Sequence, residues 1–343
     1  MAKRKQKNRK RIFLYTALFV LFFGGLVDYF FFTPMRRTNE SHYVFIDKDD
    51  NIDSVYNKIQ PLATAHSFLA FKLMAKLMSY EKHIRTGRYQ IGKEGAVTTF
   101  RYFRNGKQAP IMLTIRSVRT IDDLAKEISE KLNFPRKMLE DSLHSGTFCQ
   151  QYGFEPATMI AMFVPNTHEF YWDTTFEQFM ERMVKEYKRF WTIERTEKAK
   201  VTGFSQAEVI TLASIVDEET DNEDEMPMIA GMYINRLKKE MPLQADPTVK
   251  FALKKFEAKR IYHKWLSYDS LYNTYKYRGL PPGPIRIPSI AAIDAVLNYV
   301  RHNYLYMCAK EDFSGTHNFA ETYEEHTKNA EKYAKALNQR GIK

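Results

Sequence analysis

The sequence is poor in cysteine and lacks the short motifs of the common metal and cofactor sites. Its 343 residues include two cysteines, Cys149 and Cys308. They could pair in an oxidising compartment, but two thiols do not make a disulfide framework. The chain has no C-x-x-C, no H-E-x-x-H and no ligand spacing among its nine histidines. Walker and dinucleotide glycine patterns are also missing. We therefore expect no metal and no cofactor.

Acidic residues are missing from the first eleven residues, MAKRKQKNRKR, which carry seven Lys or Arg. Subtracting these seven from the net charge of +11 leaves +4 for residues 12–343. A protein that binds nucleic acid spreads its positive charge over a folded domain, and no such basic face is visible here. The net charge alone would suggest nucleic acid or an anionic membrane as partner. Because most of the excess positive charge lies in the first eleven residues, a nucleic-acid partner is not expected.

A long apolar run follows this basic tail (1–11), which is predicted to be cytoplasmic. Residues 12–32, IFLYTALFVLFFGGLVDYFFF, contain one charged residue, Asp28. A membrane-spanning helix needs about 20 apolar residues, whereas a cleaved signal peptide has an apolar core of about 7–15 residues and a small-residue cleavage site. The run ends in three phenylalanines, so we predict an uncleaved transmembrane helix. A buried core helix would leave the flanking cations unexplained.

The distribution of charge around this helix predicts its orientation. Basic residues stay on the cytoplasmic side of a membrane, and only Arg36 and Arg37 follow the apolar run. We therefore expect a single-pass protein of the cytoplasmic (inner) membrane, with its N-terminus inside and the bulk of the chain on the extracytoplasmic side.

The next segments predict a small mixed module after a polar linker at 33–41. HYVFI and GRYQI have strand composition, and two helical patterns lie between them, DNIDSVYNKI and a Met- and Leu-rich stretch around Ser67 to Met78. APIMLTI is a further strand-like stretch, and NGK before it is a turn signal. This β-α-α-β pattern predicts an α+β module over 42–115.

The remainder divides into two regions of different character. Residues 116–200 are predicted to be a mainly helical connecting region that VPNTHEFYW interrupts. Residues 201–343 combine predicted helices at about 205–220, 226–239, 289–298 and 322–338 with the strand YLYMCA. Because helices and strands are mixed without β-α-β alternation, the fold class is α+β.

The stretch TLASIVDEETDNEDEM, residues 211–226, places three carboxylates side by side. Ser205 and Glu208 fit a capping box that starts the helix, and at about 100° per residue Val209, Leu212, Ala213 and Val216 form one buried stripe. Glu218 is predicted to face solvent. Asp217 and Glu219 lie at the margins, where loss of hydration raises a carboxyl pKa as a general acid requires. The alternative is that all three are solvated.

Four stretches of the last third occur together and in order: LASIVDEET, INRLKKEMPLQADPTV, YNTYKYRGLPPGPIRIPSIAAIDAVLN and YLYMCAKEDFSGTHNFAETYEEH. In this order they resemble the YceG-like family of membrane-anchored endolytic peptidoglycan (murein) transglycosylases. The match is dense over 205–335 and weak over 42–200, where GRYQI resembles the family's LysM-like subdomain. The resemblance thus implies a LysM-like α+β module followed by an α+β catalytic domain over 201–343.

The resemblance also separates the two candidate acids. The family pattern has two acids one residue apart, of which the second is the essential glutamate, and this implies Glu219 as catalytic and Asp217 as supporting. VPNTH (164–168) departs from a family segment like FPDTY. The remaining polar residues of the matching stretches are candidate substrate binders: Asn235, Arg236, Gln244, Asp246, Thr248, Asn273, Tyr275 and His317. Each of them could instead have a structural role, and LPPGP is expected to act as a rigid wall or turn because proline restricts φ.

The implied activity is cleavage of the MurNAc–GlcNAc β-1,4 bond of peptidoglycan strands, which leaves 1,6-anhydroMurNAc ends and contributes to cell wall biogenesis and degradation. Glu219 would act as general acid and then as base. Glycan strands and the membrane are the implied partners, and the family analogy adds the peptidoglycan synthesis machinery. The alternative from another class is a membrane-tethered peptidoglycan-binding scaffold with inert carboxylates.

Overall fold

The structure, a computed structural model, describes residues 2–36, 40–258 and 260–340, with side chains from Asn8 onward. Parts of three predicted segments lie outside the described residues. These are Met1 of the basic tail, residues 37–39 of the linker with Arg37, and Lys259 and residues 341–343 of the last third.

Helices dominate the described residues, and the strands are short. The helices are α1 (Ala2–Phe31), α2 (Ile52–Ile59), α3 (Ala65–Leu77), α4 (Ala96–Asn105), α5 (Ile121–Ser129), α6 (Arg136–His144), α7 (Gly146–Gln151), α8 (Phe176–Phe190), α9 (Ile193–Thr202), α10 (Gln206–Glu219), α11 (Met226–Lys238), α12 (Asp246–Ala252), α13 (His263–Leu266), α14 (Ile290–Leu297) and α15 (Tyr323–Gln339). The strands are β1 (His42–Ile46), β2 (Gly87–Ile91), β3 (Ile111–Ile115), β4 (Asn166–Phe170), β5 (Tyr306–Ala309) and β6 (His317–Ala320). They form two-stranded sheets of order β1-β2, β3-β4 and β5-β6.

The chain divides into two compact units. Unit 1 comprises Met1–Met112, Lys131–Asn133 and Glu169–Thr174, and unit 2 comprises Leu113–Glu130, Phe134–His168 and Thr175–Lys343. The predicted mixture of helices and strands is confirmed, and helix (54%) far exceeds strand (9%).

Unit 1 is built around an antiparallel β1-β2 pair in which His42 faces Ile91 and Ile46 faces Gly87. The strands alternate buried and more exposed residues, the period expected of a sheet with one covered face. Helices α2 and α3 connect the strands, so the predicted β-α-α-β order is confirmed. The core contains an aromatic cluster of edge-to-face and stacked rings, formed by Phe71, Tyr80, Tyr89, Phe100 and Phe103.

The first helix extends through both the basic tail and the apolar run. Residues 8–31 of α1 are long and apolar enough to cross a membrane, and the described part of the chain contains one such helix. Its last turn packs on unit 1, where Phe30 and Phe31 contact the core cluster. The preceding apolar side chains are uncovered, as Phe19 and Leu21 show at 65% and 72% exposure.

Unit 2 surrounds helix α10, which is buried on every side along most of its length. The capping box predicted at its start is present, because Ser205 accepts from the Glu208 N–H and Glu208 accepts from the Ser205 N–H. The predicted stripe is buried, but so are Ile210, Thr211, Ser214 and Ile215. The sequence pattern therefore identified one face of a helix that has no solvent-facing side between residues 209 and 216.

The LPPGP segment packs close to α10 and to a neighbouring loop. The Ile285 N–H donates to Ser214 Oγ at 3.0 Å, and Ser214 in turn donates to the Thr211 carbonyl. A Cβ at Gly283 would collide with the backbone carbonyl of Ala157. Glycine is therefore required here by close approach of two backbones.

Most predicted elements occur within one to three residues of their predicted bounds, including α10, α11, α14 and α15. Five of the helices and strands were not predicted: α4, α12, α13, β4 and β6. Helix α4 ends at Gly106, whose φ of 70° caps the helix in the left-handed region. Strands β4 and β6 are short and have partners that lie far away in sequence or across an irregular loop, so local composition carries little signal for them.

Candidate active site

The end of α10 places the three carboxylates of the acidic stretch in three different surroundings. The helix ends at Glu219, and Thr220 is already extended. Because successive helical residues are about 100° apart, Asp217, Glu218 and Glu219 point in different directions. Different elements of unit 2 lie opposite each of them.

Asp217 contacts the start of α14. Its Oδ1 accepts hydrogen bonds from the hydroxyl (2.5 Å) and the N–H (3.3 Å) of Ser289, the N-cap of that helix. Its Oδ2 lies 3.3 Å from Nε of Arg286. These contacts fix the junction between α10, the proline-rich segment and α14.

Glu218 is not exposed, so the prediction that it faces solvent is wrong. Its side chain is 14% exposed and lies between two guanidinium groups, 2.8 Å from Arg119 Nη2 and 2.7 Å from Arg286 Nη1. The reason is tertiary, because residues about 70 and 100 positions away in sequence cover the face that the helical wheel leaves open.

Glu219 borders a cavity of about 240 Å³. The Tyr233 hydroxyl, from α11, donates a hydrogen bond of 2.6 Å to Glu219 Oε1. The pKa of the Glu219 carboxyl is raised from 4.5 to about 7, chiefly by burial, with a smaller contribution from the negative charge of Asp246. The hydrogen bond from Tyr233 and the charges of His317 and Lys250 oppose this shift. Near neutral pH the group therefore exchanges between its acid and its base form.

The cavity walls come from four parts of unit 2. They are α10, α11, the segment 243–246 with Tyr275, and the β5-β6 pair. The lining residues are Glu219, Met232, Tyr233, Arg236, Leu243, Gln244, Asp246, Tyr275, Met307, Cys308, Ala309 and His317. Five of the eight predicted binders thus lie around the same opening as Glu219.

Arg236 organises one wall of the cavity from within the protein. It is 7% exposed, and its Nε donates to the Leu305 carbonyl at 2.6 Å. Its Nη1 donates to the carbonyls of Pro242 and Leu243 and to Gln244 Oε1. The guanidinium therefore joins α11, the segment before α12 and the approach to β5.

Two further pairs orient polar groups at the cavity. Tyr275 donates a 2.6 Å hydrogen bond to Asp246 Oδ1. Glu225 holds His317 at two points, since Oε1 accepts from the His317 N–H at 2.7 Å and Oε2 lies 2.8 Å from Nδ1. An Nδ1 bonded to a carboxylate carries the proton, so Nε2 is the nitrogen left for a ligand.

Three predicted binders do not line the cavity, and their polar atoms engage the protein. Asn235 donates to the carbonyls of His302 and Tyr304. Thr248 is fully buried, donates to the Ala245 carbonyl and contacts the Thr274 hydroxyl. Asn273 is also fully buried and donates to the carbonyls of Leu266 and Tyr268. These side chains shape the loops that carry the cavity residues.

Tyr233 and Glu225 are the site residues that the sequence reasoning missed. Tyr233 lies in an apolar helix and resembles an ordinary core residue, and Glu225 lies within an acidic loop. No local signal distinguishes either from its neighbours, because their partners are 14 and 92 residues away.

The remaining sequence features lie elsewhere. The VPNTH segment contributes Val164, Asn166 and His168 to a different cavity of about 290 Å³. Both cysteines are free thiols, Cys149 buried and Cys308 beside Glu219's cavity. Within the described residues no group of three or more His, Cys, Asp or Glu side chains could hold a metal ion.

Comparisons with known proteins agree with one another. The model of the YceG-like family matches residues 44–332. An endolytic murein transglycosylase of Bacillus subtilis is 32% identical over 243 residues, which cover 66% of this chain and 66% of the relative. One of Streptococcus pneumoniae is 24% identical over 325 residues, 85% of this chain and 58% of the relative. The chain thus spans about two thirds or less of the length of these relatives.

A solved structure shows a similar fold. The crystal structure of a YceG-like protein from Listeria monocytogenes aligns with a TM-score of 0.56 and 25% sequence identity, over 85% of this chain and 99% of that one. Since the family model also matches well over half of the residues, this protein belongs to the YceG-like family.

Proposed function

We propose that the protein is a membrane-anchored endolytic transglycosylase that cleaves the MurNAc–GlcNAc β-1,4 bond of peptidoglycan strands. The observation that carries the proposal is the Glu219 carboxyl, which borders a cavity, is hydrogen-bonded by Tyr233 and has its pKa raised to about 7. The names of the relatives from Bacillus subtilis and Streptococcus pneumoniae support the reaction class.

In the first half-reaction, the protonated Glu219 donates its proton to the glycosidic oxygen. The bond between C1 of MurNAc and that oxygen breaks, its electron pair stays on the oxygen, and GlcNAc leaves with a free 4-hydroxyl. Positive charge develops at C1, where the N-acetyl group of the same MurNAc can stabilise it. A carboxyl group with a pKa near the working pH suits this transfer.

In the second half-reaction, the Glu219 carboxylate takes the proton of the C6 hydroxyl of the same MurNAc. O6 bonds to C1 and closes the 1,6-anhydro ring, and Glu219 returns to its protonated form. One residue thus serves as acid and then as base, and no water is consumed. This differs from hydrolysing glycosidases, which use two carboxyl groups.

The other cavity residues have proposed binding roles. Arg236, Gln244, Asp246, Tyr275 and His317 present polar groups around the opening and would orient the sugars. Asp217 supports the site by fixing the end of α10 to Ser289 and Arg286.

The location and the domain organisation are further parts of the proposal. Residues 12–32, which α1 covers up to Phe31, would span the inner membrane with the N-terminus inside, and the uncovered apolar surface of the helix supports this. The β-α-α-β order of β1, α2, α3 and β2 supports a LysM-like module over 42–115. Residues 116–200 would connect it to a catalytic domain over 201–343, and the synthesis machinery is the proposed protein partner.

Product analysis tests the proposal. The full chain in detergent is incubated with purified glycan strands, and the new ends are identified by mass spectrometry. We expect 1,6-anhydro ends, with a rate roughly 10²–10⁴-fold lower in Glu219→Gln. Glu223→Gln is the matched control, because Glu223 is an exposed carboxylate four residues further on.

Each other outcome contradicts a named part of the proposal. Reducing ends in place of anhydro ends would identify a hydrolase. An unchanged rate in Glu219→Gln would remove Glu219 from the reaction. Glycan binding without cleavage by the unmodified chain would favour the peptidoglycan-binding scaffold.

A further inference from the structure

Helix α3 of unit 1 carries a row of leucines that the protein leaves uncovered. Leu69, Leu73 and Leu77 are 58%, 48% and 74% exposed, and Met78 directly after them is 47% exposed. Single exposed leucines are common, but a contiguous apolar row on one helix marks an interaction surface. Phe71 and Ala75, on the opposite side of α3, are buried in the core.

The leucine row lies on the same face of α3 as His66. At 100° per residue, positions 66, 69, 73 and 77 fall within an arc of about 80°. His66 is the residue of this face that the protein does cover, and it is covered by the last turns of α1. Its ring stacks on Tyr29 with 4.1 Å between ring centroids, and its Nε2 lies 2.9 Å from the Thr33 hydroxyl.

The face of α3 that meets α1 is therefore apolar beyond the point of contact. Helix α1 is the candidate membrane span, and its own apolar side chains are uncovered up to its last turn. The leucine row begins three residues after His66, which stacks on Tyr29 near the end of α1.

Cations adjoin the leucine row on one side. Lys72 and Lys76 are both exposed, and they follow the edge of the row within about 60° on the helical wheel. The Lys72 ammonium also lies 5.2 Å from the ring centroid of Tyr56, which holds its stem along the protein surface. Apolar side chains flanked by lysines are the composition of a helix that lies in a membrane interface.

We propose that the leucine row of α3 inserts into the extracytoplasmic leaflet beside α1, with Lys72 and Lys76 on the phosphates of anionic lipids. This inference depends on the proposed membrane anchoring by α1. Docking of α3 holds unit 1 against the lipid surface and so restricts the motion of unit 1 relative to the membrane.

Depth-dependent fluorescence quenching tests the inference on the full chain. An amino acid that carries a nitrobenzoxadiazole fluorophore replaces Leu73, Val20 or Asp49, each in a separate sample. The labelled protein is reconstituted into vesicles of phosphatidylcholine and phosphatidylglycerol, and its fluorescence is compared with and without doxyl-labelled acyl chains, which quench the fluorophore. Val20 lies within α1. Asp49 is exposed and follows Ile46, at the end of β1 opposite to His42. His42 pairs with Ile91, and the next residue, Gly92, accepts a hydrogen bond from the Arg36 N–H of the chain leaving α1, so Asp49 lies at the far end of the strand pair.

Quenching at positions 20 and 73, without quenching at 49, is the expected result. Quenching at 20 alone would overturn the docking of α3 and leave the anchor intact. An absence of quenching at 20 would overturn both. A change at 73 caused by glycan strands in place of doxyl lipids would assign the leucine row to glycan.

The lysines are tested in the same assay by varying the lipid charge. Quenching at 73 should be weaker in vesicles of phosphatidylcholine alone, and the Lys72→Gln/Lys76→Gln variant should lose this dependence on lipid charge. Lys48→Gln is the matched control, because Lys48 is exposed and lies off α3. Dependence that persists in the double variant would remove the lysines from the proposal.

Discussion

The Tyr233 hydroxyl lies 2.6 Å from Oε1 of Glu219 and donates to it, which joins the middle of α11 to the end of α10. The bond favours the carboxylate, whereas burial favours the neutral acid, and burial is the larger effect. The resulting pKa of about 7 lies close to neutral pH. One oxygen is thus held by the protein, and the other can carry the transferred proton.

The pH dependence of cleavage should follow the Glu219 carboxyl. Because the first half-reaction requires the protonated group, kcat/KM should be highest below a pH of about 7 and fall about tenfold per unit above it. Initial rates of anhydro-end formation at low glycan concentration measure this profile. A decline that starts near pH 4.5, the ordinary glutamate value, would show that the carboxyl is not desolvated.

Two substitutions should move this profile in opposite directions. Asp246→Asn removes the negative charge that raises the Glu219 pKa, so the decline should begin at lower pH, while Asn keeps an acceptor for Tyr275. Tyr233→Phe removes the hydrogen bond that stabilises the carboxylate, so the decline should begin at higher pH. Glu223→Gln should leave the profile in place. A shift of both pH profiles in the same direction would contradict the causes assigned to the Glu219 pKa.

The stability of the fold should depend on pH through the same residue. Unfolded Glu219 loses its proton near 4.5 and the folded form near 7, so between these values the folded state binds more protons. The free energy of unfolding therefore falls as pH rises through this window, by up to about 3 kcal/mol. Glu219→Gln abolishes that loss, so the variant should exceed the unmodified chain in stability at pH 8 and match it near pH 4.5.

Denaturant unfolding of the full chain in detergent at the two pH values measures this difference. Glu223→Gln is again the control and should show no such dependence. A Glu219→Gln variant that is equally destabilised at both pH values would show that the neutral acid is not the form that the fold prefers.

Glu225 should act on the reaction only through His317. Glu225→Ala removes both acceptors that hold this histidine, and its displacement should lower kcat/KM by about tenfold or more. If the two residues act as a unit, the Glu225→Ala/His317→Ala double variant should be no slower than His317→Ala alone. Additive losses in this double-mutant cycle would give Glu225 an independent role.

Glu218 should matter for stability and not for the identity of the product. Glu218→Gln removes the charge between Arg119 and Arg286, which should lower the free energy of unfolding by about 1–3 kcal/mol. The anhydro product should persist. Exposed Glu223→Gln provides the comparison, and substitutions at such positions change stability by about 0.5 kcal/mol or less. Equal stability of the two variants would contradict the burial of Glu218.

The sequence was sufficient for features that depend on nearest neighbours along the chain. The helix through the apolar run, the strands β1 and β2 and the capping box of Ser205 and Glu208 are local, and each of these elements is present. Helical periodicity also placed Glu219 beside apolar residues, and the order of the motifs pointed to the family that the comparisons show.

Only the tertiary structure decided which polar residues meet. Periodicity predicts which face of a helix is buried, but the other faces of α10 are covered too. Arg119 and Arg286 contact Glu218, and Ser289 contacts Asp217, so both carboxylates are engaged within the protein. The same limit applies to Asn235 and Asn273, whose amides bind carbonyls of loops. It also applies to Tyr233, which gains its partner only when α10 and α11 pack together. The cost of leaving a buried polar group unpaired determines these contacts, and the partners become known only when the chain has folded.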